Sequence, residues 1–254
     1  MQTKSYYRNV FQRRNVIKDF FSAIFQSIAS YPRLTLEVFI KGQFGVRYFS
    51  LASVITIAII LAILPIFFSR MFGGYGGYSS GFFDTVEEHK LFYIFIVLFI
   101  GFSIKRYREI KQPWGVIDPT KFSLSMGTAD AWLINLKFNG KPIDGRYREV
   151  FVEPAIFLII GIICLLLKSM LGPILIIFSI IYCLSFLFAY RDGDNWAMDI
   201  NDQRISAEQF HDTFVNDKTN SESGFEYRGA KPNSKDDREK IYKTSLLDDD
   251  DIAQ

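Results

Sequence analysis

Two histidines and two cysteines in 254 residues leave little from which to build a metal centre, and too little for a disulfide-stapled extracellular scaffold. The second scarcity is local. Charged residues make up 22% of the chain, yet they withdraw almost completely from several long stretches. Apolar runs of that length and purity exclude a water-soluble monomer, and the 49% hydrophobic content excludes a collagen-like or wholly disordered chain. The chain reads as an integral membrane protein.

Residues 48–69 form the clearest span. Positions 51–68 carry no charge, and at 1.5 Å per residue the stretch reaches roughly 33 Å, enough for a hydrocarbon core of about 30 Å. More than forty residues precede it and no small-residue cleavage site follows, so a removed signal peptide is not expected. Residues 89–106 give a shorter second span, with Lys90 at one end and Lys105 and Arg106 snorkelling at the other. From residue 155 to 190 the only charge is Lys168, and one helix there would reach about 54 Å. The break is placed at residues 168–173, where Gly172 and Pro173 meet that charge, giving spans at 154–168 and 174–190 joined by an external tight turn at 169–173.

Short-range Lys/Arg counts orient these spans. Residues 1–47 carry eight basic and two acidic side chains, and residues 105–153 carry nine and six. The segment between the first two spans, residues 70–90, has two basic residues against three acids. Both termini are therefore expected on the cytoplasmic side, in a bacterial cytoplasmic membrane, with four crossings. The expected class is an all-α integral membrane protein of four transmembrane helices. An amphipathic N-terminal helix, a small cytoplasmic β-hairpin-like loop and a largely disordered C-terminal tail complete it.

In the N-terminal region, residues 1–47, Val10, Phe11, Ile17, Phe20, Phe21, Ile24, Phe25 and Ile28 recur at helical spacing among Arg13, Arg14 and Lys18. This predicts an interfacial helix with its basic face toward anionic lipid headgroups, ended or kinked at Pro32. The competing reading is a core helix of a small bundle. The external loop, residues 70–88, holds a Gly/Tyr-rich run with Tyr75 and Tyr78. In the cytoplasmic segment, residues 107–153, the partly alternating residues 131–138 and the Asn139-Gly140 pair that follows them predict a strand-turn-strand element, with Pro142 restricting the return strand. That segment is too short to bury much alone, so it is expected to dock. Its basic and aromatic residues match no groove-reading or stacking motif, so nucleic acid is not expected as a partner.

Residues 191–254 are acidic, and from residue 190 onward sixteen acidic side chains outnumber nine basic ones. A short helix at 204–215 is predicted, capped by Ser206 with Gln209, and Ile241, Tyr242, Leu246 and Leu247 resemble the anchors of a linear binding segment.

No catalytic constellation is present. His89 and His211 fall on opposite sides of the membrane. A calcium-loop reading of Asp192, Asp194, Asn195, Asp199 and Asp202 fails, because Ala197 and Gln203 stand where glycine and glutamate are needed. Neither a cofactor nor an enzymatic activity is expected. No ionisable residue falls at the centre of a proposed span, which argues against a proton-coupled transporter. The expected role is a non-enzymatic scaffold or coupling subunit of a multiprotein envelope assembly, with a bacterial secretion or conjugation apparatus as its setting and other membrane proteins as partners. A small channel or transporter acting as a homo-oligomer is the alternative. The interaction candidates are Tyr75, Tyr78, Trp114, Trp132, Arg146, Arg148, Leu246 and Leu247.

Overall fold

The computed structural model describes residues 16–72, 86–111, 118–218 and 223–250, and it is mostly helical (72%) with only small sheets. In order the elements are α1 (Val16–Ile40), β1 (Lys41–Gly42), α2 (Leu51–Phe72), α3 (Lys90–Ile110), β2 (Thr128–Ala129), α4 (Ala131–Ile134), β3 (Lys137–Phe138), β4 (Lys141–Pro142), α5 (Gly145–Tyr147), a π-helical turn (Arg148–Val152), α6 (Glu153–Leu166), α7 (Leu171–Phe214) and α8 (Lys235–Asp250). Two helical stretches are long and apolar enough to cross a membrane, Gly145–Leu166 and Leu171–Phe214. The first begins nine residues before the expected start of the third span, so it takes in Arg148, Glu149 and Glu153.

The chain divides into two units, one of residues 21–189 and one of residues 1–20 with 190–254. In the first, each long helix turns one apolar row inward and another outward. α2 buries Val54, Ile57 and Leu61 and exposes Ile55, Ile59, Ile60 and Ile63. α3 buries Phe92, Phe95 and Phe99 and exposes Ile94, Val97 and Leu98. α6 and α7 meet at a turn where Lys168 takes the left-handed conformation (φ 56°) and Ser169 Oγ accepts the Leu171 N–H at 3.3 Å. Their backbones then pack closely through two glycines. A Cβ on Gly172 would lie 2.5 Å from Leu165 N, and one on Gly161 would lie 2.9 Å from Ile176 Cγ1.

Of the two outcomes expected at Pro32, an end or a kink, α1 does not end there. The helix continues to Ile40, because the surrounding elements enclose its second half. Residues 33–38 are buried on every side, and Phe39 packs against Phe95, Phe102 and Phe157 at ring-centroid distances of 5.5, 5.2 and 6.4 Å. Lateral packing overrides the lost proline hydrogen bond.

The central segment docks on the chain that follows α1. β1 pairs antiparallel with β2, Lys41 opposite Ala129, and Gly45 N–H and Arg47 N–H extend the ladder to the Ser125 and Ser123 carbonyls, each at 2.9 Å. β3 and β4 form a hairpin whose turn residues Asn139 and Gly140 both have positive φ (52° and 78°), the geometry of a two-residue turn that suits the strand twist. Residues 131–134, read from sequence as part of a strand, are instead the short helix α4. The hairpin is correspondingly shorter than the alternating pattern predicted.

The second unit corrects the expectation of a largely disordered tail. Ser206 caps nothing, since it lies buried inside α7. Phe210, Phe214, Tyr227 and Tyr242 gather into one aromatic cluster, with the His211 ring 4.8 Å from that of Tyr242. Asp217 accepts hydrogen bonds from Lys231 (2.8 Å) and Arg238, closing the connection between α7 and α8. Few apolar residues suffice because four of them are aromatic rings.

The Asp217 carboxyl is held below its usual range by the hydrogen bonds from Lys231 and Arg238. A depressed folded value means that the stabilisation is present at neutral pH and is lost as pH falls through that value. Hydrogen exchange should show less protection of residues 235–250 in Asp217→Asn at neutral pH, with the helices of residues 21–189 unchanged.

Candidate functional site

Arg33 and Glu37 in the C-terminal half of α1 and Lys41, the residue that follows it, recur at four-residue spacing, which carries one helical stripe on into β1. The stripe faces inward. Glu37 and Lys41 are completely buried, and Arg33 nearly so. The start of the third apolar stretch supplies the matching charges. Lys41 Nζ lies 3.2 Å from Glu153 Oε2, 3.4 Å from Glu149 Oε1 and 3.9 Å from Glu37 Oε1. Arg148 Nε lies 3.5 Å from Glu153 Oε1. Three cations thus face three carboxylates.

Neutral side chains complete the cluster. The Tyr48 hydroxyl donates to Glu37 Oε2 at 2.5 Å, and the Tyr182 hydroxyl, from α7, donates to Glu153 Oε2 at 2.5 Å. Arg33 sends Nη1 to Ser185 Oγ at 3.0 Å and Nη2 to the Tyr48 oxygen at 2.8 Å. Ser179 Oγ donates to the Pro154 carbonyl at 2.6 Å. Lys41 Nζ also sits 4.4 Å from the centre of the Phe186 ring, and the Arg33 guanidinium carbon sits 5.1 Å from the same ring. Burying an unpaired ion costs several kcal/mol, so this balance is a condition of the packing.

Two features mark the cluster as more than ion pairing. Arg148, Glu149 and their neighbours to Val152 form a π-helical turn, a geometry that concentrates at functional sites. In addition, Glu37 Oε1, Glu153 Oε1 and Arg148 Nε are buried without a hydrogen-bond partner. Such atoms call for explanation in a native structure.

A second set of charges ties the central segment to the bundle. Arg106 does not snorkel outward as expected. It is buried, donating Nε to the Val38 carbonyl, Nη1 to Glu109 and Nη2 to Asp130, each at 3.2 Å. A cavity of about 990 Å³ opens beside it, lined among others by Arg47, Arg106, Glu109, Asp118, Lys121 and Asp130. Its charges balance in sign and partly pair with one another, so it presents no field of one sign to a ligand. Among the described residues, no group of three His, Cys, Asp or Glu side chains is placed to hold a metal ion.

The interaction candidates scatter. Tyr75, Tyr78 and Trp114 lie outside the described residues, and Leu246 and Leu247 are described only as backbone within α8. Trp132 and Arg146 are exposed on the central segment, whereas Arg148 turns inward to the buried cluster. The sequence reading missed Glu37, Lys41, Tyr48, Glu149, Glu153 and Tyr182 as one constellation. The available signal was the regular spacing of Arg33, Glu37 and Lys41 among Leu34, Leu36, Val38, Phe39 and Ile40. The chain matches no known protein family, no curated protein and no solved structure.

Arg106→Ala removes at once the hydrogen bonds to the Val38 carbonyl and Glu109 and the one to Asp130 that anchors the central segment. It is expected to cost about 2 kcal/mol, the loss of hydrogen bonds to charged groups, and to raise hydrogen exchange over residues 123–134. Arg108→Ala, at an exposed position on the same helix, is expected to stay within about 0.5 kcal/mol. Thermal unfolding of the purified variants checks both.

Proposed function

We propose that the chain is a non-enzymatic integral membrane protein with four crossings, made by α2, α3, the stretch ending in α6, and the apolar part of α7. Inverted polarity supports this reading. The helices show branched apolar residues on the outside, Ile59 and Ile63, Val97, Ile159 and Ile163, Ile177 and Ile180, while Arg33, Glu37, Lys41 and Glu153 are buried inside among apolar side chains. Water as the surrounding solvent would select the reverse arrangement. The Lys/Arg asymmetry supports a reading with both termini on the cytoplasmic side, and a bacterial cytoplasmic membrane is the setting we propose.

Its role on this reading is that of a scaffold or coupling subunit in a multiprotein envelope assembly. One observation carries the proposal. The central segment is pinned to the bundle by the β1–β2 ladder and Arg106, yet it holds Phe122, Trp132, Ile134 and Phe138 out to solvent, with Phe138 77% exposed. A rigidly held segment that displays large apolar side chains is built for contact with another protein. The setting in a secretion or conjugation apparatus is the same proposal at its most specific.

The alternative, a small oligomeric channel or transporter, draws support from the buried charge cluster, since ionisable groups inside apolar bundles line ion and proton pathways. Gentle detergent extraction of tagged protein at native expression, followed by sizing and mass spectrometry, separates the two. The scaffold reading expects stable heterologous partners that are lost in Phe138→Asp and Trp132→Ala. A lone homo-oligomer that conducts ions in liposomes contradicts it.

A further inference from the structure

We propose that the buried cluster is a proton-binding site, with Glu37 as the acceptor and the proton held inside the bundle. The inference rests on the geometry of residues 21–189 and stands whichever partners the protein has. It starts from how the cluster distributes its donors. Lys41 Nζ is nearer to Glu153 and Glu149, at 3.2 and 3.4 Å, than to Glu37, at 3.9 Å. Arg33 directs its hydrogen bonds to Ser185 and to the Tyr48 oxygen, leaving its Nε 3.5 Å from Glu37 Oε1 without a hydrogen bond between them. Glu37 therefore receives no hydrogen bond from either Arg33 or Lys41. Its single one comes from a neutral hydroxyl, that of Tyr48.

Glu153 likewise takes its hydrogen bond from a hydroxyl, but Lys41 lies closer to it than to Glu37. It has Lys41 at 3.2 Å, Arg148 at 3.5 Å and the Tyr182 hydroxyl at 2.5 Å. Of the two fully buried carboxylates, Glu37 is the one with least to lose on taking a proton. The groups facing it are Arg33 from α1, Lys41 from β1, Tyr48 from the linker to α2, Arg148, Glu149 and Glu153 from the start of the third apolar stretch, and Tyr182 and Ser185 from α7. With the Glu37 carboxylate neutralised, three cations remain against two carboxylates, and the gain in desolvation offsets that excess.

Access is provided at one side. Glu149 keeps 24% of its side chain exposed while bonding Lys41 Nζ, whereas Glu37, Lys41 and Glu153 are sealed. The cluster therefore runs from solvent at Glu149 to the enclosed carboxylate at Glu37. The reaction is a simple equilibrium, in which one proton from solvent bonds to Glu37 Oε1 and nothing leaves.

Burial pushes the Glu37 carboxyl above its usual range, against the opposing pull of Arg33, Lys41 and the Tyr48 hydrogen bond. A raised folded value has a definite sign. Glu37 protonates at a pH where an unfolded glutamate is still ionised, so the fold gains stability as pH falls through that value.

The test is infrared difference spectroscopy of the full chain in lipid nanodiscs during acid titration. The wild type is expected to show a protonated-carboxyl carbonyl band appearing above the ordinary glutamate range. Glu37→Gln should abolish that band. Tyr48→Phe, which keeps the shape but removes the hydrogen bond to the carboxylate, should move its midpoint to higher pH. If Glu37→Gln does not fold, the Tyr48→Phe shift alone decides. A band that survives Glu37→Gln, that is lost in Glu153→Gln instead, that does not move in Tyr48→Phe, or that titrates only in the ordinary range overturns the proposal.

Discussion

Three cations and three carboxylates enclosed between helices constrain everything around them. An ion taken out of water must recover its lost solvation from nearby charges and dipoles, or the fold does not form. The need for such partners accounts for the most irregular features of the first unit. α1 runs past Pro32 because its charged stripe has partners only deep in the bundle. The π-helical turn at Arg148–Val152 lies where Arg148 and Glu149 reach inward beside Glu153. Tyr182 and Ser185 form the polar side of an otherwise apolar part of α7, and both end on the cluster.

From that constraint the rest follows in layers. Charges concentrated inside leave the outer rows of α2, α3, α6 and α7 free to be purely apolar. Close backbone packing at Gly161 and Gly172 then holds one end of the α6–α7 hairpin, and the hydrogen bonds from Ser179 to the Pro154 carbonyl and from Tyr182 to Glu153 hold the other. In the membrane setting we propose, such an arrangement would gain its stability from packing and interior electrostatics rather than from a water-driven core. The central segment is a secondary layer, fixed by backbone pairing to the exit of α1 and by Arg106. Its apolar side chains are left over after that docking.

The sequence made legible what is local. Helical content, the apolar stretches and the Asn139-Gly140 hairpin turn all depend on residues within one or two turns of each other. It did not reveal which way the Arg33, Glu37 and Lys41 stripe faces, since the same spacing describes a solvated helix face. Nor could it pair Lys41 with Glu153, which lies more than a hundred residues away. The same limit applied to Glu153 itself, where a charge looked like the boundary of a span and is instead enclosed within a longer helical stretch. In the tail, a polar composition argued for disorder, but four aromatic rings and the double ion pair of Asp217 hold a small helical unit that composition averages conceal.

The most direct test of the cluster as the organising element is a double-mutant cycle on Lys41 and Glu153, using Lys41→Met, Glu153→Gln and the two together, with unfolding followed in detergent. Charges that stabilise each other predict that the double variant is more stable than the sum of the single losses, by about 1–3 kcal/mol of coupling. Strictly additive losses would mean that the two side chains do not act on one another, and the account of a bundle built around paired charges would be wrong.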